Sequence, residues 1–105
     1  MAIFQTAHYQ VQPSAVDEVT AAIAEFVGYV KNSEPGTRMY SAWQEVDDPT
    51  RFVHLFIFDD AAAHERHGSS EAVRRFEAVY RPVLVSDGVT FTDYRCVAAN
   101  RESDT

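Results

Sequence analysis

The sequence predicts an α+β fold, an antiparallel sheet with helices packed on one face. Three observations carry this expectation. From Val16 to Val30, apolar side chains recur at spacings of three and four, as on one side of a helix. From Arg51 to Asp59, side chains alternate strictly, with Phe52, His54, Phe56 and Phe58 on one face and Val53, Leu55 and Ile57 on the other. Between these runs, Glu34-Pro35-Gly36 reads as a helix stop and Asp47-Asp48-Pro49-Thr50 as a hairpin turn.

The elements follow in order. Residues 3–12 hold Ile3, Phe4, Tyr9 and Val11 among polar neighbours, with no Gly or Pro, and read as a strand. Pro13-Ser14 ends it and opens a helix whose first turn carries Asp17 and Glu18, suited to the positive end of the helix dipole. Its stripe is Val16, Val19, Thr20, Ile23, Phe26, Val27 and Val30, the pattern of a helix packed on a sheet. Residues 37–46 and 51–59 form a hairpin. Asp59-Asp60 caps a helix running to about His67. Gly68-Ser69-Ser70 breaks it and starts another, with Val73, Phe76, Val79 and Tyr80 on its apolar face and Pro82 at its end. Asp87-Gly88 is a turn, and residues 89–98 are the last strand.

The order β-α-β-β-α-α-β is a split β-α-β, or ferredoxin-like, arrangement with its second helix broken in two. The domain is expected to span residues 1–99, with a polar tail at 100–105. Both faces of the 51–59 strand are largely apolar. Helices can cover only one of them, so the other needs a second sheet. A chain of 105 residues has none to spare, which predicts a homodimer joined sheet to sheet.

Composition excludes several functions. The net charge of −7 opposes a nucleic-acid partner or an anionic membrane surface. No apolar stretch approaches the ~18 residues of a membrane span, and no basic region followed by an apolar run suggests a signal peptide. The one cysteine, Cys96, cannot form an internal disulfide, which suggests a reduced, cytoplasmic setting. Scattered glycines form no dinucleotide-binding fingerprint. Seven Phe and five Tyr need a core, a pocket or an interface to occupy.

With the elements in this order, the chain resembles the antibiotic biosynthesis monooxygenase superfamily, small dimeric α+β barrel proteins. Glu34-Pro35-Gly36 resembles the family's turn into its second strand, and Tyr40 the tyrosine that follows four residues later. Asp48-Pro49-Thr50-Arg51-Phe52-Val53 resembles its hairpin and third strand. Asp59 to Ala63 resembles the capped helix that follows, His67 its helix-end histidine, and Ser70 and Phe76 the pattern after it. The likeness runs from about residue 3 to residue 97. The chain also departs from the pattern. Many members have a second histidine where Ala72 stands, a glutamate at Phe56 and a tryptophan at Phe58. The asparagine, tryptophan and histidine of the haem-degrading branch fall on His8, Phe58 and His67, which argues against haem degradation.

The resemblance implies an oxygenase with no flavin or metal cofactor, oxidising an aromatic polyketide, phenol or quinol. A deprotonated substrate of that kind can itself pass an electron to dioxygen. The protein then binds a flat aromatic, stabilises its anion and excludes water. The alternatives are a small-molecule-binding or stress-associated dimer that lacks the chemistry, and an isomerase or cyclase of the same barrel type.

The candidate bases are His67 and His54, since neutral imidazole suits a phenol proton. His54 lies on its strand face between Phe52 and Phe56, where a buried histidine is often only a hydrogen-bonded core residue. Candidate substrate contacts are His8, Tyr40, Trp43, Phe56, Phe58 and Phe76. Tyr40 and Trp43, three apart on a strand, should face opposite sides, one toward the helices and one toward the partner sheet. His64 and His67 share a helix face, but no third ligand is evident, so no metal site is expected. His64 reads as solvent-facing. Arg38 shares Tyr40's face and is either an anion contact or a surface arginine at the strand edge.

Overall fold

The computed structural model describes residues 1–85 and 88–101. Its elements are β1 (Ile3–Gln10), α1 (Val16–Ser33), β2 (Thr37–Gln44), β3 (Arg51–Phe58), α2 (Ala61–Gly68), α3 (Glu71–Tyr80) and β4 (Thr90–Tyr94). The strands form one antiparallel sheet in the order β2-β3-β1-β4. Each β-α-β crossover therefore skips one strand, as the ferredoxin-like reading requires. β1 and β3 sit at the centre, which brings Ala7 opposite His54 and Tyr9 opposite Phe52.

Local signals place the ends. Ser70 Oγ accepts from the Val73 amide at 3.2 Å, and Asp60 Oδ1 from the Ala63 amide at 2.8 Å, so α3 and α2 start on capping side chains. In the β2–β3 turn, the Asp48 carboxylate accepts from both the amide and the hydroxyl of Thr50 and from Arg51 Nε. Those bonds, Thr50's first, hold its pKa below the usual carboxylate range. At the end of α1, Gly36 meets α2 so closely that a Cβ there would lie 2.7 Å from Ala63 Cβ. The glycine is required by this approach. The expected turn at Asp87-Gly88 is described only at Gly88, whose φ of 78° suits glycine; Asp87 lies outside the described residues.

β4 is shorter than the expected 89–98. Its last pair is Phe4↔Tyr94, close to where β1 begins, so the chain beyond Tyr94 has no strand to continue along. β1 likewise ends at Gln10, with Val11 making a single bridge to Leu84. The expected tail falls mostly on residues 102–105, outside the described part of the chain.

The core lies between the sheet and the helices. Val19, Ile23, Phe26 and Val30 of α1 and Ala72, Phe76 and Tyr80 of α3 bury against Tyr9, Val11 and Phe52. Thr20, placed on the α1 stripe by its spacing, is exposed and returns its hydroxyl to the Val16 carbonyl. The other sheet face is open. It carries Val53 and Leu55, half-buried, and Trp43 and Tyr94, both exposed.

Candidate functional site

A cavity of about 400 Å3 opens between the sheet and the helices. It is walled by aromatic rings from nearly every element, Phe26 of α1, Tyr40 of β2, Phe56 and Phe58 of β3 and Phe76 of α3 among them. That volume lies within the ~300–1,000 Å3 typical of small-molecule sites. The rings pack by stacking and edge contacts. Tyr40 stacks on Phe56 with centroids 5.1 Å apart, and Phe26 on Phe76 at 5.1 Å.

Two polar clusters interrupt this hydrocarbon wall. The first is centred on His54, which is only 2% exposed. Strand alternation points it to the helix side, the same side as Tyr9 and Tyr40. Tyr9 Oη lies 2.7 Å from its Nε2 and Tyr40 Oη 2.7 Å from its Nδ1. Both ring nitrogens are thus engaged. Burial lowers the His54 pKa to about 4, so the imidazole is neutral at pH 7. Burial also pushes the hydroxyls of Tyr9 and Tyr40 well above the ordinary tyrosine value, which keeps both as phenols.

The second cluster joins His67 to Glu34. His67 Nδ1 lies 2.8 Å from Glu34 Oε1, and their side chains are 12% and 10% exposed. Thr37 Oγ1 donates to the same carboxylate oxygen at 2.7 Å. A carboxylate accepts only, so the proton shared with His67 sits on Nδ1 when the ring is neutral. Nε2 is then a lone-pair acceptor, and among the described residues it has no hydrogen-bond partner. The ring is braced by Phe58 at 5.1 Å, Phe26 at 5.6 Å and Tyr40 at 5.6 Å.

The structure brings most of the sequence candidates together: His54, His67, Tyr40, Phe56, Phe58 and Phe76 all line this cavity. It does not bring His8 or Trp43 there, which corrects their reading as substrate contacts. His8 is exposed on the open face of the sheet, because β1 turns Ala7 and Tyr9 inward and the residue between them outward. Trp43 sits opposite Val53 on that face and is 60% exposed. His64 is exposed, as read from its spacing, yet its ring edge meets Phe58 at the cavity rim. Arg38 pairs with Asp59 at 3.1 Å beside the irregularity in β2.

Two side chains of these polar clusters escaped the sequence reading. Tyr9 could have been found by pairing β1 with β3, which sets it two residues from the His54 partner Ala7 on the same face. Glu34 was read only as part of a turn, and nothing local in the sequence marks it as the partner of His67. Among the described residues, no group of three or more His, Cys, Asp or Glu side chains is placed to hold a metal ion.

Solved structures share this fold almost throughout. An antibiotic biosynthesis monooxygenase is 24% identical, with a TM-score of 0.83 over 93% of this chain and 100% of its own. The protein PA3566 from Pseudomonas aeruginosa is 22% identical, with a TM-score of 0.82 over 92% and 95%. Rv0793 from Mycobacterium tuberculosis is 17% identical, with a TM-score of 0.84 over 96% and 100%. Among curated proteins there is no match. The family model described as antibiotic biosynthesis monooxygenase matches residues 2–79, which hold both polar clusters and most of the aromatic wall, and the chain belongs to that family.

Proposed function

We propose that the protein is a homodimeric monooxygenase that oxidises a flat phenolic, quinol or polyketide aromatic with dioxygen, without a flavin or metal of its own. The observation that carries this reading is His67. Its Nδ1 is held by a buried carboxylate, and the residue lines an aromatic-walled cavity. Glu34 fixes the tautomer and orientation, and it stabilises the imidazolium that forms when Nε2 takes a substrate proton. The resulting aromatic anion passes an electron to dioxygen. A carbon–oxygen bond then replaces a carbon–hydrogen bond, and the second oxygen atom leaves as water with two hydrogens lost by the substrate. Both come from the carbon of an anthrone-type CH2, or from ring carbon and hydroxyl in a phenol or quinol. The protein binds the ring, removes the proton and keeps water from the anion.

The dimer is supported by the open sheet face, where Val53 and Leu55 stand beside exposed Trp43 and Tyr94. Among the described residues, no helix is long and apolar enough to cross a membrane.

Oxygen uptake tests the proposal. Metal-stripped protein is mixed with an anthrone or a hydroquinone in an oxygen-electrode cell. Consumption above buffer, lost in His67→Ala, is the expected result. A flat trace across a substrate panel removes the oxygenase and leaves a binding protein.

A further inference from the structure

The Tyr9–His54–Tyr40 set has a proton count that fixes how it meets a ligand. The neutral imidazole has one N–H and one acceptor nitrogen, and each phenol has one proton. Only two contacts join the three groups, at 2.7 Å each. One phenol donates to the ring and the other accepts from it. The accepting phenol has a proton left over. Among the described residues, neither hydroxyl has another hydrogen-bond partner to receive it.

The two ends are not equivalent. Tyr9 is 7% exposed and stacked between Phe52 at 5.5 Å and Tyr80 at 5.4 Å. A donor left unpaired there has hydrocarbon on both faces and is the costlier choice. Tyr40 is half-buried, and its ring lies 5.6 Å from His67, beside the base.

We infer that Tyr9 donates to Nε2 of His54, that the His54 proton therefore sits on Nδ1 and is donated to Tyr40, and that Tyr40 turns its own proton into the cavity as the donor to a ligand oxygen. Tyr9 and His54 are then positioning residues and Tyr40 is the binding residue. The ligand is a planar aromatic with an acceptor oxygen, a carbonyl or a phenolate, at the Tyr40 end. This deepens the aromatic-binding reading of the cavity and rests on it, but it needs no oxygen chemistry.

The test uses the full chain and two probes of similar shape, menadione, which has carbonyl oxygens, and methylnaphthalene, which has none. In wild type, the nitrogen-15 spectrum of His54 should show the proton on Nδ1, and menadione should bind more tightly than the hydrocarbon. Tyr40→Phe should erase about tenfold of that preference, read as the ratio of the two affinities within the same protein. Tyr9→Phe should erase part of it and mix the His54 tautomers, an effect that lost packing alone does not produce. A wild-type His54 protonated on Nε2 overturns the inference, and that reading needs no variant to fold. So does a Tyr40→Phe protein that keeps the full menadione preference, or a wild type that has none. Absent oxygen uptake would overturn only the oxygenase.

Discussion

Glu34 and His67, separated by 33 residues, meet through Oε1 and Nδ1 at 2.8 Å. The contact ties the end of α1 to the end of α2 and sets which nitrogen of His67 is free. Glu34→Gln should lower the rate of oxygen uptake by about a hundredfold, with a smaller change in KM, because general-base catalysis of this kind contributes roughly 10²–10⁴. Comparing kcat and KM for the two proteins on one substrate checks this. Equal values would detach Glu34 from the chemistry.

His54 gives a pH dependence with a definite sign. Its pKa falls on folding from 6.5 to about 4 because burial disfavours the charged ring. Between those values the unfolded chain binds the proton and the folded one does not. Stability from this residue is therefore complete above pH 6.5 and declines as pH drops toward 4, by up to about 3 kcal/mol. Urea unfolding of wild type and His54→Gln across this range should show the gap between them narrowing as pH falls. A constant gap would contradict a depressed pKa.

Two glycines should respond oppositely to alanine. At Gly36 the added methyl lies 2.7 Å from Ala63 Cβ and 3.0 Å from Arg66, and an overpacked site of this kind costs about 1–3 kcal/mol. At Gly28, within α1, nothing lies within 4 Å, and alanine should add about 0.5–1 kcal/mol through helix propensity. Melting curves of the two variants should move in opposite directions from wild type.

The open sheet face predicts self-association. Light scattering should give about twice the 11.8 kDa chain mass, and Leu55→Glu should return it to one chain, since a buried unpaired carboxylate is costly. Trp43 is the sole tryptophan and reports directly. Its emission should shift to the red on dilution or in Leu55→Glu. A single-chain mass at micromolar wild-type concentration would refute the dimer.

Much of this was legible in the residues. The period of α1, the strict alternation of β3 and the capping residues before α2 and α3 are local signals, and each element formed where its signal stood. Alternation also put His54, Phe56 and Phe58 on a common side before any fold was known. What the sequence did not reveal depends on pairing across distance. His8 is a polar residue on a central strand, and only the inward turn of Ala7 and Tyr9 shows that it faces away. Glu34 shares a residue type with many surface positions, and its burial arises only once α2 has folded over the end of α1. The length of β4 was set by where β1 runs out, which no pattern within residues 89–98 encodes.

β3 is the feature with the widest consequence. Its even positions, 52 to 58, face the helices, with His54, Phe56 and Phe58 lining the cavity, and its odd positions, 53 to 57, face the open side. If the cavity binds the proposed ligand and the open side pairs with a second chain, this one eight-residue segment holds two separate records, of what is bound and of what is paired with. A substitution at Phe56 can retune ligand choice and leave assembly alone, and one at Leu55 can do the reverse. Selection on this strand can act on the two properties independently, one residue at a time.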